Sequence, residues 1–243
     1  GNVANYNEIK KICKKKNIKI IEDNCESVGA KFNKAYLGTI GDIGIFSFDH
    51  GKILTTGEGG LILTNNKKLY LNAKEYHDHG HKNVKNKPRG KDDVKSPGFN
   101  YRMTELQGAI GTAQLKKLPL ILRENKKRYE VFKSVLSNKV KFREHLSNTT
   151  PNYDTIIFYE KNKNKINKIL KIIKDNKFST KNLPDAIMWH CSSYWPHIFK
   201  KKEIIKMKPT LKILKNSIAI PILLKKNLKD YNRLAENILK VYL

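Results

Sequence analysis

Phe46-Ser47-Phe48-Asp49-His50-Gly51-Lys52-Ile53-Leu54-Thr55-Thr56-Gly57-Glu58-Gly59-Gly60 is the stretch on which the fold turns. It starts inside a short apolar segment, residues 42–48, that reads as a strand. It closes on a glycine-rich turn before a second apolar segment, residues 61–64. Upstream, Lys19-Ile20-Ile21-Glu22-Asp23 reads as a buried strand ending in two carboxylates. It follows a helix over residues 7–16 with Ile9, Ile12 and Cys13 on one face. Helix, strand, strand and strand with glycine punctuation predict an α/β layer. In open sheets of that class functional groups collect at the carboxyl ends of strands. Asp23 and Lys52 both fall at such ends, although Asp23 alone also reads as an ordinary strand-end carboxylate.

Further along, residues 65–79 read as a helix with Leu69, Leu71 and Ala73 inward. Residues 80–99 show no periodicity and read as a long loop, of the kind that is functional or mobile. Thr104 caps a helix carrying Leu106, Ile110, Ala113 and Leu118. Leu118-Pro119 predicts a break before another helix bearing Leu122, Tyr129, Phe132 and Leu136. From about residue 140 the pattern changes to a small α+β domain: a strand over 154–159, an amphipathic helix marked by Ile166, Ile169, Leu170 and Ile173, an aromatic, irregular stretch over 183–199, a strand over 217–222, and a last helix capped by Asn227. The domains expected are residues 1–120 and 121–243.

The chain has 243 residues and a formal charge of +27, carried by 43 Lys and only six Arg. Nucleic-acid readers favour the bidentate fork of Arg, and here Lys is spread along the whole chain, so no nucleic-acid partner is expected. Compositional drift and a polyanion-binding surface remain the two readings of that charge. No apolar run approaches the length of a membrane helix, and the opening residues show no signal peptide. Cys13, Cys25 and Cys191 lack metal-ligand spacing and read as reduced cytoplasmic thiols. His77, His79 and His81 alternate but read as a helix-end pair rather than a metal site.

The motifs Glu22-Asp23-Asn24-Cys25-Glu26-Ser27-Val28-Gly29, the 46–60 stretch, and Gly98-Phe99-Asn100-Tyr101-Arg102-Met103-Thr104-Glu105-Leu106-Gln107 stand in this order. Together they resemble the DegT/DnrJ/EryC1/StrS family of sugar aminotransferases. The resemblance implies the type I fold of pyridoxal 5′-phosphate (PLP) enzymes, here as part of a large α/β domain followed by a small α+β domain. It implies Lys52 as the Schiff-base lysine and Asp23 as the carboxylate that holds the cofactor ring nitrogen protonated. Ser47 matches a phosphate-binding serine. Asn100 matches an asparagine that reaches the neighbouring subunit's phosphate, which implies a homodimer with shared active sites. Glu26 stands where the family often has Gln or His against the cofactor's phenolic oxygen, a departure from the pattern. The related sugar 3-dehydratases carry His at the lysine position, and Lys52 argues against that branch, although Asp23-Asn24-Cys25 looks somewhat like it.

Four further segments (residues 48–52, 76–81, 88–92 and 181–186), together with Trp189-His190 to Tyr194-Trp195, resemble the family branch that aminates an eight-carbon keto-sugar acid of lipopolysaccharide, with glutamate as donor. For such an anionic substrate Arg89, Lys181 and His190 are candidate contacts. Arg102 suits either a carboxylate anchor or a structural ion pair. Trp189, Tyr194 and Trp195 suit either substrate contact or small-domain core. A nucleotide-sugar 4-aminotransferase is the other enzyme reading, and a degenerate copy that binds polyanions the non-enzyme one. Family members begin well upstream of the strand ending in Asp23, so the sequence reads as N-terminally incomplete.

Overall fold

A computed structural model describes residues 1–243 apart from the side chain of Arg89. The chain divides into two compact units, residues 1–120 with 145–152, and residues 121–144 with 153–243.

The first unit opens with α1 (Tyr6–Lys16), which leads into β1 (Ile21–Asp23). A small excursion follows, made of β2 (Lys31–Phe32) and β3 (Ala35–Tyr36), and then β4 (Ile43–Ser47) and β5 (Gly60–Leu63). β1 lies parallel to β4, with Asp23 opposite Ile45, and β5 lies antiparallel on the other side of β4. The sheet order is thus β1-β4-β5. Gly44 is required where β4 passes the preceding loop, since a Cβ there would stand 2.2 Å from the Gly38 carbonyl oxygen. A small apolar cluster of Val3, Tyr6, Ala30, Phe32 and Leu37 supports the excursion.

α2 (Lys67–Tyr76) starts on an Asn66 cap, whose side chain accepts from the N–H groups of Lys68 and Leu69. None of its residues is buried, and Leu71, expected inward, is 41% exposed. A helical period marks which side chains share a face; a neighbouring element decides whether that face is covered.

α3 (Glu105–Leu136) runs through Pro119 without the expected break. Proline removes one backbone donor and crowds the preceding turn, a cost of ~3 kcal/mol or more, which thirty-two residues of continuous helix absorb here. Leu106, 77% exposed, is not on a core face either.

The second unit begins within α3, at Ile121. It continues through β6 (Lys141–Phe142). Residues 145–152 belong to the first unit, where β7 (Thr149–Thr150) pairs with β2. β8 (Thr155–Tyr159), α4 (Lys163–Asp175), α5 (Ile187–His190), α6 (Lys201–Lys206), α7 (Lys208–Lys215), β9 (Ser217–Pro221) and α8 (Leu228–Leu239) complete the unit. β8 is central in an antiparallel sheet of order β6-β8-β9. Ile156, Phe158, Ile218 and Ile220 pack with Phe132, Leu136, Ile169, Ile173, Tyr231, Leu234 and Ile238 in one buried cluster. Burial of each such side chain contributes about 1.5–3 kcal/mol. Asn227 and Asp230 bond each other's backbone N–H in a reciprocal cap that starts α8 at the expected place.

Candidate functional site

β1 and β4 end side by side, and the chain turns sharply after each. Within β1 the side chains alternate, so Glu22 points inward and Asp23 outward. Glu22 is 3% exposed. It accepts backbone N–H bonds from Gly38 (2.8 Å), Ile40 (2.7 Å) and Gly41 (2.6 Å), fixing the loop that feeds β4. Burial and the Glu22 carboxylate push the Tyr6 hydroxyl far above its usual range.

After Asp23 the buried Asn24 locks the turn. Its N–H donates to Ile45 O at 2.9 Å, its amide to Glu22 O at 3.1 Å, and its carbonyl accepts from Ser27 N at 3.0 Å. Glu26 is thereby carried to Lys52, whose Nζ donates to a Glu26 carboxylate oxygen. The Lys52 side chain is only 18% exposed. It sits in a loop strapped at both ends, by Phe48 N to Gly59 O at 2.8 Å and Thr56 N to Phe48 O at 3.0 Å, and anchored by the buried Leu54. Gly57, at φ +85°, turns the chain back toward β5.

Hydrogen bonds from the Cys25 thiol and backbone N–H hold the Asp23 carboxyl below the usual carboxylate range; burial opposes them, and the Lys52 ammonium adds a lesser lowering. Burial pushes the Cys25 thiol up to about 11, with its bond to Asp23 adding. Asp23 is therefore a firmly ionised group, and Cys25 a protonated thiol at neutral pH. Ser47 ends β4, its Oγ accepting from Asp49 N at 3.3 Å. Asp23, Glu26, Ser47 and Lys52 thus gather at the carboxyl ends of two adjacent parallel strands.

The other predicted residues lie in different groups. Asn100 bridges to Asp78 in the 77–103 loop, and Arg102 donates to the buried Asp78 carboxylate. Asp78 also takes the Asn83 amide at 3.0 Å, so the structure places Arg102 in a structural ion pair. His81 meets Asp92 at 2.8 Å within the long loop, and His77 meets the Lys74 carbonyl at the end of α2. In the second unit Lys181 Nζ lies 2.8 Å from Asp154. Burial pushes the Asp154 carboxyl up, but opposing charge, the Lys181 ammonium included, outweighs it and holds the group below its usual range. His190 is exposed and lies against Trp189, ring centroids 4.6 Å apart. Trp189 itself is 74% exposed and is no part of the core. The side chain of Arg89 falls outside the described residues. Glu22 and Asn24, the residues that position Asp23 and Glu26, carry no signal in the sequence beyond their polar type.

The sequence profile described as the DegT/DnrJ/EryC1/StrS aminotransferase family matches residues 1–239. GDP-4-keto-6-deoxy-D-mannose 3-dehydratase of Escherichia coli O55:H7 is 40% identical over 147 residues, 54% of this chain and 37% of the dehydratase. The solved structure of Helicobacter pylori PseC, an aminotransferase involved in the biosynthesis of pseudoaminic acid, superimposes with a TM-score of 0.81 at 22% identity, over 99% of this chain and 64% of that one. The E. coli dehydratase structure with bound hydrated PLP gives a TM-score of 0.76 at 24% identity, over 98% and 64%. The chain thus spans less than two thirds of the length of these relatives, and its fold is that of the type I PLP-dependent enzymes.

Proposed function

The chain belongs to the DegT/DnrJ/EryC1/StrS aminotransferase family, and on that footing we propose that it carries the lysine-bearing part of a PLP-dependent sugar aminotransferase. The observation that carries the proposal is Lys52 itself, a shielded amine on a strapped loop beside Asp23 and Glu26. Pyridoxal phosphate, when bound, supplies an electron sink for the carbon that bears the amine. The residues present fit it. Lys52 would hold the cofactor and move a proton at the amine-bearing carbon. Asp23, held ionised, would keep a ring nitrogen protonated. The Ser47 hydroxyl would donate to a phosphate oxygen, and Glu26 would lie against the phenolic oxygen. Asn100 would serve the neighbouring subunit of a homodimer. Residues 1–120, joined by 145–152, would form the C-terminal part of the PLP-binding large domain, and the rest of 121–243 the small domain.

The substrate is a keto-sugar and the donor glutamate. The segments around His50, His79, Arg89 and Lys181 favour 8-amino-3,8-dideoxy-manno-octulosonate transaminase activity, the amination of an 8-oxo sugar acid for a surface polysaccharide in the cytoplasm. A nucleotide-linked 4-keto sugar is favoured instead by the dehydratase, whose name carries a GDP-linked sugar. Arg102 and Lys181, already paired with carboxylates, contribute to either substrate only by leaving those partners.

The test is cofactor labelling of the protein expressed from its full open reading frame. Borohydride reduction after addition of pyridoxal phosphate, followed by peptide mapping, should place a single phosphopyridoxyl group on Lys52. Glutamate should bleach the yellow band before reduction. Amine transfer to the 8-oxo octulosonate or to GDP-4-keto-6-deoxy-mannose then identifies the sugar. Absence of the band, or label scattered over surface lysines, would sink the Lys52 assignment.

A further inference from the structure

Lysine supplies 43 of the 243 residues of the chain, so an isolated surface lysine carries no information. One groove in the second unit departs from that background, because five of the seven residues lining it are lysines. Lys208, Lys212 and Lys215 stand at i, i+4 and i+7, on one face of α7. Lys161 and Lys163 come from the segment that leads β8 into α4. The two segments are clipped together by the Glu160 N–H, which donates to the Asn216 carbonyl at 2.9 Å. Leu211 and Asn216 complete the walls.

No carboxylate lines this groove. The nearest in sequence, Glu160, has both oxygens committed, one to Asn162 N–H at 2.8 Å and the other to the Tyr242 hydroxyl at 2.8 Å. Among the described residues, none of the five lysines forms an ion pair, in contrast to Lys126, Lys127 and Lys141, which do. Lys163 also sits at the positive end of α4, with no acidic residue in that first turn to offset it. Converging like charges in a concave surface focus the field and concentrate counter-ions.

We propose that this groove is a binding site for a small anion with two adjacent phosphoryl groups. Lysine ammonium groups bind phosphate as point charges. The groove, about 440 Å³, has room for a small anion. An extended nucleic acid needs a longer basic stripe with arginine or aromatic readers, which the groove lacks. A diphosphate brings enough charge to engage several of the lysines at once, whereas a single phosphate engages fewer. The site lies wholly within the second unit and does not depend on Lys52 or on the transaminase activity.

The experiment is calorimetric titration of the full protein, saturated with pyridoxal phosphate so that the cofactor's own phosphate site is filled. The titrants are inorganic pyrophosphate, orthophosphate and GDP. Two triple variants of equal charge change are compared, K161Q/K163Q/K212Q in the groove and K14Q/K15Q/K16Q at the end of α1, with Lys212→Glu as a single charge reversal. Pyrophosphate should bind one saturable site in the wild type and in the α1 variant. The groove triple should weaken it roughly tenfold or more, and Lys212→Glu should weaken it in the same direction. Orthophosphate should bind more weakly than pyrophosphate. GDP equal to pyrophosphate assigns the site to the diphosphate alone, and GDP tighter than pyrophosphate assigns it to a nucleoside diphosphate. Equal weakening by the two triple variants, binding untouched by the groove changes, or no saturable binding would each overturn the proposal.

Discussion

Glu22→Ala removes the carboxylate on which three amides of the loop between β3 and β4 converge. Three backbone N–H groups, of Gly38, Ile40 and Gly41, end on its carboxylate at 2.6–2.8 Å. Hydrogen bonds to a charged partner contribute about 1.5–3 kcal/mol each, and a buried donor left unpaired costs about 1–3 kcal/mol. Full additivity is not reached, because the loop can relax and admit water. The expected loss is ~3–5 kcal/mol for Glu22→Ala. For Glu22→Gln it is ~1.5–3 kcal/mol, since one oxygen still serves Ile40 and Gly41 while an amide N–H₂ faces the Gly38 donor. At about 2–4 °C per kcal/mol for a chain of this size, the alanine variant should melt on the order of 10 °C lower. Thermal melts by circular dichroism give the size of the effect. Amide hydrogen exchange gives its place, because Gly38, Ile40 and Gly41 should lose protection before β4 does. Melting within about 0.5 kcal/mol of the wild type for both variants, with those three amides still protected, would refute the reasoning.

Three further outcomes are expected. Phe158 is fully buried between Phe132 and Phe142, with ring centroids 6.1 and 5.9 Å away, and Phe158→Ala should cost ~3–5 kcal/mol in denaturant unfolding of the second unit. Lys181→Met removes one charged partner of the buried Asp154 carboxylate and should destabilise by ~1–3 kcal/mol at pH 7. Asp154 is held below its unfolded value, so its contribution is present above about pH 4 and is lost as pH falls through the folded value. Unfolding curves at pH 7 and pH 3 should therefore show the gap between wild type and variant narrowing in acid, and a constant gap would count against the pairing. Glu26→Gln removes the ion pair that must open before Lys52 can react. The yellow lysine-bound band should then form about two- to fivefold faster on adding pyridoxal phosphate, the scale of a partly exposed ion pair, and stopped-flow absorbance checks it.

The sequence by itself determined what depends on local order. The strand, loop and glycine turn around Lys52, the carboxylate at the end of β1, the Asn227 cap and the amphipathic period of α4 are all written in neighbouring residues, because strand and helix periods and caps act over a few positions. The family followed from the same local motifs in their order. Only the tertiary structure decided what depends on distant partners. Asp23 is marked out by its motif, but the inward turn of its neighbour Glu22 onto three amides appears only once the sheet is formed. Arg102 suits an anchor or an ion pair, and Lys181 a substrate contact, until Asp78 and Asp154, more than twenty residues away, pair with them. Pro119 predicts a break that a long helix overrides, Trp189 suits either core or substrate contact and stands in solvent, and residues 145–152 return to pair with β2. Pairing and burial are set by contacts between segments far apart in the chain, and no window of neighbouring residues contains them.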